Sequence, residues 1–137
     1  MNKAKILIVD DEKEVLEHFS HHLNRLLDCQ IDMAATGEEA LKKIKADNFD
    51  LIFLDIKMPG LSGLDVLRRL KTDNILPDVI VMTGYDSRQV AKEVLEVGAI
   101  GYLIKPILAE TLYEKAKEIL TKKNKYQPKI RDGAGAG

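Results

Sequence analysis

Three short apolar runs in this chain each end on charge. Ile6-Leu7-Ile8-Val9 runs into Asp10-Asp11, Leu51-Ile52-Phe53-Leu54 into Asp55, and Ile100-Gly101-Tyr102-Leu103-Ile104 into Lys105-Pro106. Runs this short, bounded by polar residues, read as strands buried on both faces, the kind that build parallel sheets. In an open α/β sheet, ligands bind beyond the carboxyl ends of the strands. Asp10, Asp11, Asp55 and Lys105 are therefore expected to converge on one crevice although they are far apart in sequence. Carboxylates gathered so closely repel one another unless a cation sits among them. The pattern points to a divalent metal and phosphate chemistry.

Between the runs, apolar residues recur at helical spacing. A strand is predicted over 5–9 and a helix over 12–27, with Val15, Leu16, Phe19, Leu23, Leu26 and Leu27 on one stripe. A second strand is expected over 30–34. Thr36 caps the next helix, Glu39 stands at capping-box spacing, and Ala40, Leu41 and Ile44 face inward. The third strand covers 51–54. Met58-Pro59-Gly60 and Ser62-Gly63 form a turn signal. The helix after it turns Leu64, Leu67 and Leu70 inward and Arg68, Arg69 and Lys71 to water. The fourth strand, over 79–82, is entered through Pro77. Asp86 or Ser87 caps a helix that buries Val90, Ala91, Val94 and Val97, and Gly98 stands where a helix C-terminal glycine belongs. The fifth strand covers 100–104. Leu108, Leu112, Ala116, Ile119 and Leu120 mark the last helix.

Five repeats of strand then helix with short connections imply an α/β fold, a doubly wound parallel sheet covered on both faces. Right-handed crossovers leave few topologies. The flavodoxin-like order 2-1-3-4-5 sets the first and third strands side by side at the switch point, where the acidic residues end. Residues 1–123 are read as one domain with five strands and five helices. From 124 to 137 the chain turns basic and then into Gly-Ala-Gly-Ala-Gly, which reads as a flexible tail, a linker or an expression scar.

At 137 residues, 45% of them hydrophobic and 31% charged, the chain has the size and composition of one globular domain. A net charge of -1 gives no electrostatic case for attraction to nucleic acid or membrane. No apolar run approaches bilayer length. The first strand follows the N-terminus closely, leaving no room for a signal peptide. The single Cys29 excludes an internal disulfide and fits a reducing cytoplasm, the expected location; it reads as packing rather than as a catalytic thiol. His18, His21 and His22 lie at spacings that could share a helix face, but the apolar stripe beside them favours a solvated flank over a metal site. Met33, Met58 and Met82 read as packing residues.

Mg²⁺ takes oxygen ligands in an octahedron and keeps several waters. Two or three carboxylates and a backbone carbonyl would leave positions for a phosphoryl oxygen. Asp55, ending the central strand, is the best candidate nucleophile. Lys105 would neutralise charge on the equatorial oxygens of a phosphoryl group in flight, and the Thr83 hydroxyl could donate to one of them. Each residue alone has a plain reading: Asp10-Asp11 as a helix cap, Thr83 as a strand-end hydroxyl, Tyr102 as a half-buried aromatic, Lys105 as a solvated cation. The case rests on their combination.

Val9-Asp10-Asp11-Glu12, Leu54-Asp55-Ile56-Lys57-Met58-Pro59-Gly60-Leu61-Ser62-Gly63, Met82-Thr83-Gly84 and Gly101-Tyr102-Leu103-Ile104-Lys105-Pro106 together resemble the receiver domain of two-component response regulators, in order and spacing, from about residue 5 to 123. The resemblance implies a phosphoacceptor switch rather than a turnover enzyme, one that assists its own phosphorylation and dephosphorylation. Asp55 would accept a phosphoryl group from a phosphohistidine on a sensor histidine kinase or a phosphotransfer protein. Asp11, Asp55 and the Lys57 carbonyl would bind Mg²⁺, with Asp10 acting largely through water. Lys105 would pair with the phosphoryl group, Thr83 would move toward it, and Tyr102 would rotate inward. The face made by the fourth helix, fifth strand and last helix would then change its preference for a downstream effector, or for a second copy in a phosphorylation-dependent homodimer. No membrane and no direct nucleic-acid contact is implied. The resemblance also implies a cis Lys105-Pro106 peptide. Gly84 stands where alanine is frequent and should leave phosphate access open. Lys57 and Tyr85 flank the path of the hydrolytic water, and Tyr85 is expected to shield the acyl phosphate.

Rival readings are weaker. A haloacid-dehalogenase-type phosphohydrolase carries its nucleophile in D-x-D-x-T at the first strand, whereas this chain has Asp10-Asp11-Glu12 there and its isolated aspartate on the third. A flavodoxin-type carrier needs a phosphate-cradling loop after the first strand, where these acids would repel phosphate. A degenerate receiver serving as a scaffold would not need the full set of Asp10, Asp11, Asp55, Thr83 and Lys105.

Overall fold

Each apolar run forms a strand and each amphipathic stretch a helix. The computed structural model describes residues 3–84 and 88–130. In chain order the elements are β1 (Ala4–Val9), α1 (Lys13–Leu26), β2 (Cys29–Ala34), α2 (Gly37–Ala46), β3 (Leu51–Asp55), α3 (Gly63–Thr72), β4 (Val79–Thr83), α4 (Arg88–Glu96), β5 (Gly101–Ile104) and α5 (Ala109–Lys122). The strands form one sheet of order β2-β1-β3-β4-β5, and every pairing is parallel. This is the flavodoxin-like topology that the alternation predicts. β1 and β3 are neighbours, with Val9 beside Leu54, so the residues that follow these two positions emerge side by side.

Strand periodicity divides the core into two layers. Leu7, Val9, Ile52, Leu54, Val79 and Val81 point toward α2, α3 and α4, where Leu41, Ile44, Val66, Leu67, Leu70 and Val94 meet them. Ile6, Ile8, Leu51, Phe53, Ile80 and Met82 point toward α1 and α5, against Leu16, Phe19, Leu23, Leu112, Ala116 and Leu120. The central strands are buried on both sides and so show no polar alternation in sequence.

Helix ends follow their local chemistry. The Thr36 hydroxyl accepts from Glu39 N at 3.0 Å, as expected, but the Glu39 carboxylate reaches the Ala35 N–H at 2.7 Å rather than that of Thr36. A full capping box stands instead at Ser62 and Asp65, each side chain accepting from the other's N–H at 3.1 Å. Gly98 has φ 112°, the left-handed region that a residue with a Cβ avoids, and it ends the α4 turn. The expected cap at Asp86 or Ser87 lies outside the described residues.

Three expectations need correction. The run 100–104 does not form a strand buried on both faces. β5 is an edge strand, Ile100 precedes it, and Tyr102 and Ile104 are 39% and 41% exposed. Leu108 is not on the buried stripe of α5; it is the residue before the helix and is 72% exposed. Residues 124–130 are not free of the body. Asp28 N donates to Gln127 O at 2.8 Å, and Lys129 N to Leu26 O at 2.9 Å. The Tyr126 hydroxyl meets that of Tyr113 at 3.1 Å, and Lys125 pairs with Asp50 at 2.8 Å. Composition marks this segment as poor in apolar residues, but one tyrosine, one proline and two lysines suffice to dock it beside α1. Residues 131–137 lie outside the description.

Candidate functional site

The register of β1 and β3 places two acidic strand ends at one pole of the sheet. Asp10 follows β1, and its N–H donates to Ala34 O at 3.1 Å, which continues the ladder to β2. Its side chain is fully buried: Oδ1 accepts from Glu12 N at 2.9 Å, and Oδ2 faces the Lys105 ammonium at 3.2 Å. Asp55, the last residue of β3, is held by Ile56 N donating to Met82 O at 3.0 Å. It is also buried; Oδ1 accepts from Lys57 N at 3.2 Å and Oδ2 meets Lys105 Nζ at 3.1 Å. Asp11 is exposed at the mouth. One carboxylate oxygen from each of Asp10, Asp11 and Asp55 can be chosen so that all three lie within 4.8 Å of one another.

Lys105 reaches this cluster because its own N–H donates to Thr83 O at 2.7 Å, carrying the β4–β5 pairing past the strand end. The Lys105-Pro106 peptide is cis. Thr83 is buried at the end of β4. Burial, then the neighbouring Asp10 charge, pushes the Asp55 carboxyl above its ordinary range, and the hydrogen bond from Lys105 only partly offsets this. For Lys105, burial works to lower the pKa but is outweighed by the carboxylates of Asp55 and Asp10, which hold it above its usual value.

The donor set suits a hard divalent cation. It is all oxygen, two of its carboxylates are buried, and one ammonium is opposed by three carboxylates, which leaves the cluster negative. Asp10, Asp11 and Asp55 could hold such an ion. Among the described residues this is the one group of three or more ligand-type side chains close enough to do so. The histidines of α1 do not add another: His22 pairs with Glu110 at 3.3 Å and packs edge-on against Tyr113.

Of the residues singled out in the sequence, Asp10, Asp11, Asp55 and Lys105 meet in space. Lys57 contributes its N–H to Asp55, and its side chain faces solvent. Tyr102 stands on β5 beside Val81, more than a third exposed. Tyr85 lies outside the described residues. A groove of about 460 Å³ opens beside Lys105, walled by Val15 and Phe19 of α1 and by Gly84, Pro106 and Ile107. The helical stripe marks Val15 and Phe19 only as inward-facing; their place at the site depends on where α1 crosses the sheet.

The response regulator receiver domain profile matches residues 6–117. The chain belongs to that family. It is a receiver domain of the two-component type, a signalling domain. Among similar proteins, the positive alginate biosynthesis regulatory protein of Pseudomonas aeruginosa is 40% identical over 115 residues, which is 82% of this chain and 46% of that protein. Sporulation initiation phosphotransferase F of Bacillus subtilis is 32% identical over 124 residues, covering 90% of this chain and 99% of the other. The receiver spans about half the length of the first of these relatives and nearly all of the second. A two-component response regulator from Clostridium difficile superposes with a TM-score of 0.82 at 33% identity, covering 89% and 99% of the two chains. The receiver domain of Francisella response regulator 1452 gives 0.82 at 29% identity, covering 88% and 99%. No helix among the described residues is long and apolar enough to cross a membrane.

Proposed function

We propose that this receiver is a phosphoacceptor switch in which Asp55 takes a phosphoryl group from the phosphohistidine of a sensor histidine kinase or a phosphotransfer protein. The observation that carries the proposal is the convergence of Asp10, Asp11 and Asp55 within 4.8 Å with Lys105 between two of them. An Asp55 carboxylate oxygen attacks phosphorus, the new P–O bond forms as the P–N bond breaks, and the leaving imidazole nitrogen takes up a proton. Asp11, Asp55 and the Lys57 carbonyl would hold Mg²⁺, with Asp10 acting through water. The ion, when bound, neutralises charge on the phosphoryl oxygens. Lys105 exchanges its contacts with the two aspartates for one with the phosphoryl group, and it is already positioned to do so. The groove walled by Val15, Phe19 and Ile107 opens beside Lys105 and leaves an apolar approach to the site for the phosphodonor.

The signal then leaves through Thr83 and Tyr102. Drawing the Thr83 hydroxyl toward the phosphoryl group vacates space into which Tyr102, now exposed on β5, rotates. Leu95, Ile100, Tyr102, Ile104 and Leu108 form exposed apolar surface on the α4–β5–α5 side, fit for an effector or for a second copy in a phosphorylation-dependent homodimer. The chain works in the cytoplasm as a modified signalling domain that assists its own phosphorylation and dephosphorylation, with no direct contact to nucleic acid.

The test is incubation with a small phosphodonor and Mg²⁺. One base-labile, relatively acid-stable phosphate is expected, and it disappears in Asp55→Ala. No phosphate, or one that survives Asp55→Ala, rejects the assignment. Turnover of many phosphomonoesters would point to a hydrolase.

A further inference from the structure

A side-chain ligand is aimed by its rotamer, but a backbone carbonyl is aimed only by the path of its loop. The loop from Ile56 to Ser62 carries the Lys57 carbonyl; Gly60 within it takes a left-handed step at φ 74°, and two glycines outside it fix its course by close contact. Gly63 closes its base: Gly63 N donates to Ile56 O at 3.0 Å, and a Cβ on Gly63 would overlap Asp55 O and stand 2.8 Å from Ile56 Cα. Gly37 fixes its outer limb. Gly37 is buried at the first turn of α2, and a Cβ there would overlap the Leu61 carbonyl oxygen and stand 2.9 Å from Leu61 Cβ. Helix α2 therefore begins with backbone seated on backbone, directly behind the loop.

The same junction also touches the other acidic arm. Ala34, at the end of β2, accepts from Asp10 N at 3.1 Å, and Thr36 then caps α2 through Glu39 N at 3.0 Å. Met58 is buried in the core layer that α2 lines, and Leu61 packs against that layer. A displacement of the start of α2 would therefore reach the Lys57 loop without passing through any carboxylate.

We propose that Gly37 is a positioning residue for the metal site: its missing side chain lets α2 seat against Leu61 and so sets where the Lys57 carbonyl stands. The inference rests on the reading of Asp11, Asp55 and the Lys57 carbonyl as a Mg²⁺ site. It also opposes simple helix propensity, which favours alanine over glycine within a helix and makes Gly37→Ala harmless or stabilising. In this packing an alanine methyl must push Leu61 or the helix aside, and a fixed carbonyl ligand tolerates little movement.

The test is Mg²⁺ affinity measured by titration calorimetry on the full chain, well below its melting temperature, for wild type, Gly37→Ala and Ile44→Val. The last variant trims the buried face of α2 away from the loop. Gly37→Ala is expected to bind Mg²⁺ on the order of tenfold more weakly, the usual scale for a lost outer-shell support, with Ile44→Val at wild-type affinity. Equal affinities in wild type and Gly37→Ala overturn the proposal, as does an equal loss in Ile44→Val. Wild type that binds no Mg²⁺ overturns the reading of the site and the proposal with it. If Gly37→Ala does not fold, Thr36→Ala loosens the same turn without adding atoms. A weaker affinity than that of Ile44→Val is then expected, and none overturns the proposal.

Discussion

Replacing Asp55 with asparagine should stabilise the metal-free protein even though it removes a buried, hydrogen-bonded side chain. Asp55 lies within 4.8 Å of carboxylate oxygens on Asp10 and Asp11; at an effective dielectric of about 20 the buried Asp10 pair costs about 3.5 kcal/mol, and the pair with exposed Asp11, screened by solvent, costs less. Its contact with Lys105 at 3.1 Å returns about 5 kcal/mol on the same scale. The net repulsion comes to at most about 2 kcal/mol, and the cost of burying the charge adds to it. Asparagine retains the size and an acceptor for the Lys57 N–H while Lys105 keeps Asp10. In EDTA at neutral pH the variant should melt roughly 4–8 °C higher than wild type. The pH dependence has a definite sign. Because the folded-state pKa of Asp55 is raised above 3.8, its charge penalty is absent below 3.8, grows as pH rises toward the folded value and is complete above it. The advantage of the variant should therefore fade in acid. Mg²⁺ at a hundredfold excess over its dissociation constant stabilises the native state by about 2.7 kcal/mol, so metal should cancel or reverse the difference in favour of wild type. A variant that melts at or below wild type in EDTA at neutral pH, or keeps its advantage in acid, refutes the crowding argument.

Three further outcomes follow from the same geometry. Lys105→Met leaves Asp10 and Asp55 buried without their ammonium and should cost about 2–4 kcal/mol without metal, with a larger rescue by Mg²⁺ than wild type shows; urea melts with and without the ion decide it, and a neutral effect removes Lys105 as their counter-charge. A Cβ on Gly84 would meet no heavy atom within 4 Å, so Gly84→Ala should leave stability within about 0.5 kcal/mol while slowing phosphorylation by a small donor; equal phosphorylation rates would reject the access argument. Ending the chain after Lys123 deletes the Lys125–Asp50 pair, the Tyr113–Tyr126 contact and two backbone hydrogen bonds to residues 26–28, and should lower unfolding stability by about 2–4 kcal/mol. An unchanged melting curve would show that the docked segment carries no stability.

What could be read from the sequence, and what could not, follows one physical division. Features encoded within a few neighbouring residues were legible. The unbroken run Leu51–Leu54 has to be covered on both faces, and β3 lies in the middle of the sheet with every residue buried. Strand ends with charge could be assigned to one pole because parallel strands all point their carboxyl ends the same way. Features set by what lies alongside were not legible. Ile100–Ile104 is nearly as apolar as β3, yet at the sheet edge one face of β5 is left uncovered: Tyr102 and Ile104 meet solvent while Leu103 between them packs into the core. Ser62 and Asp65 form a reciprocal cap whose signature, a serine three residues before an acid, was present but lay inside a stronger glycine-proline turn signal. Gly37 shows the limit most clearly. In sequence it is a glycine after a capping threonine, a place with many tenants. Its constraint appears only when Leu61, 24 positions on, folds back over it (61 − 37). Charge at the site was written into the strands, whereas the precision of the site depends on contacts between loops that no local pattern records. Substitutions that spare every charged residue but alter these close approaches should therefore impair metal binding before they impair folding.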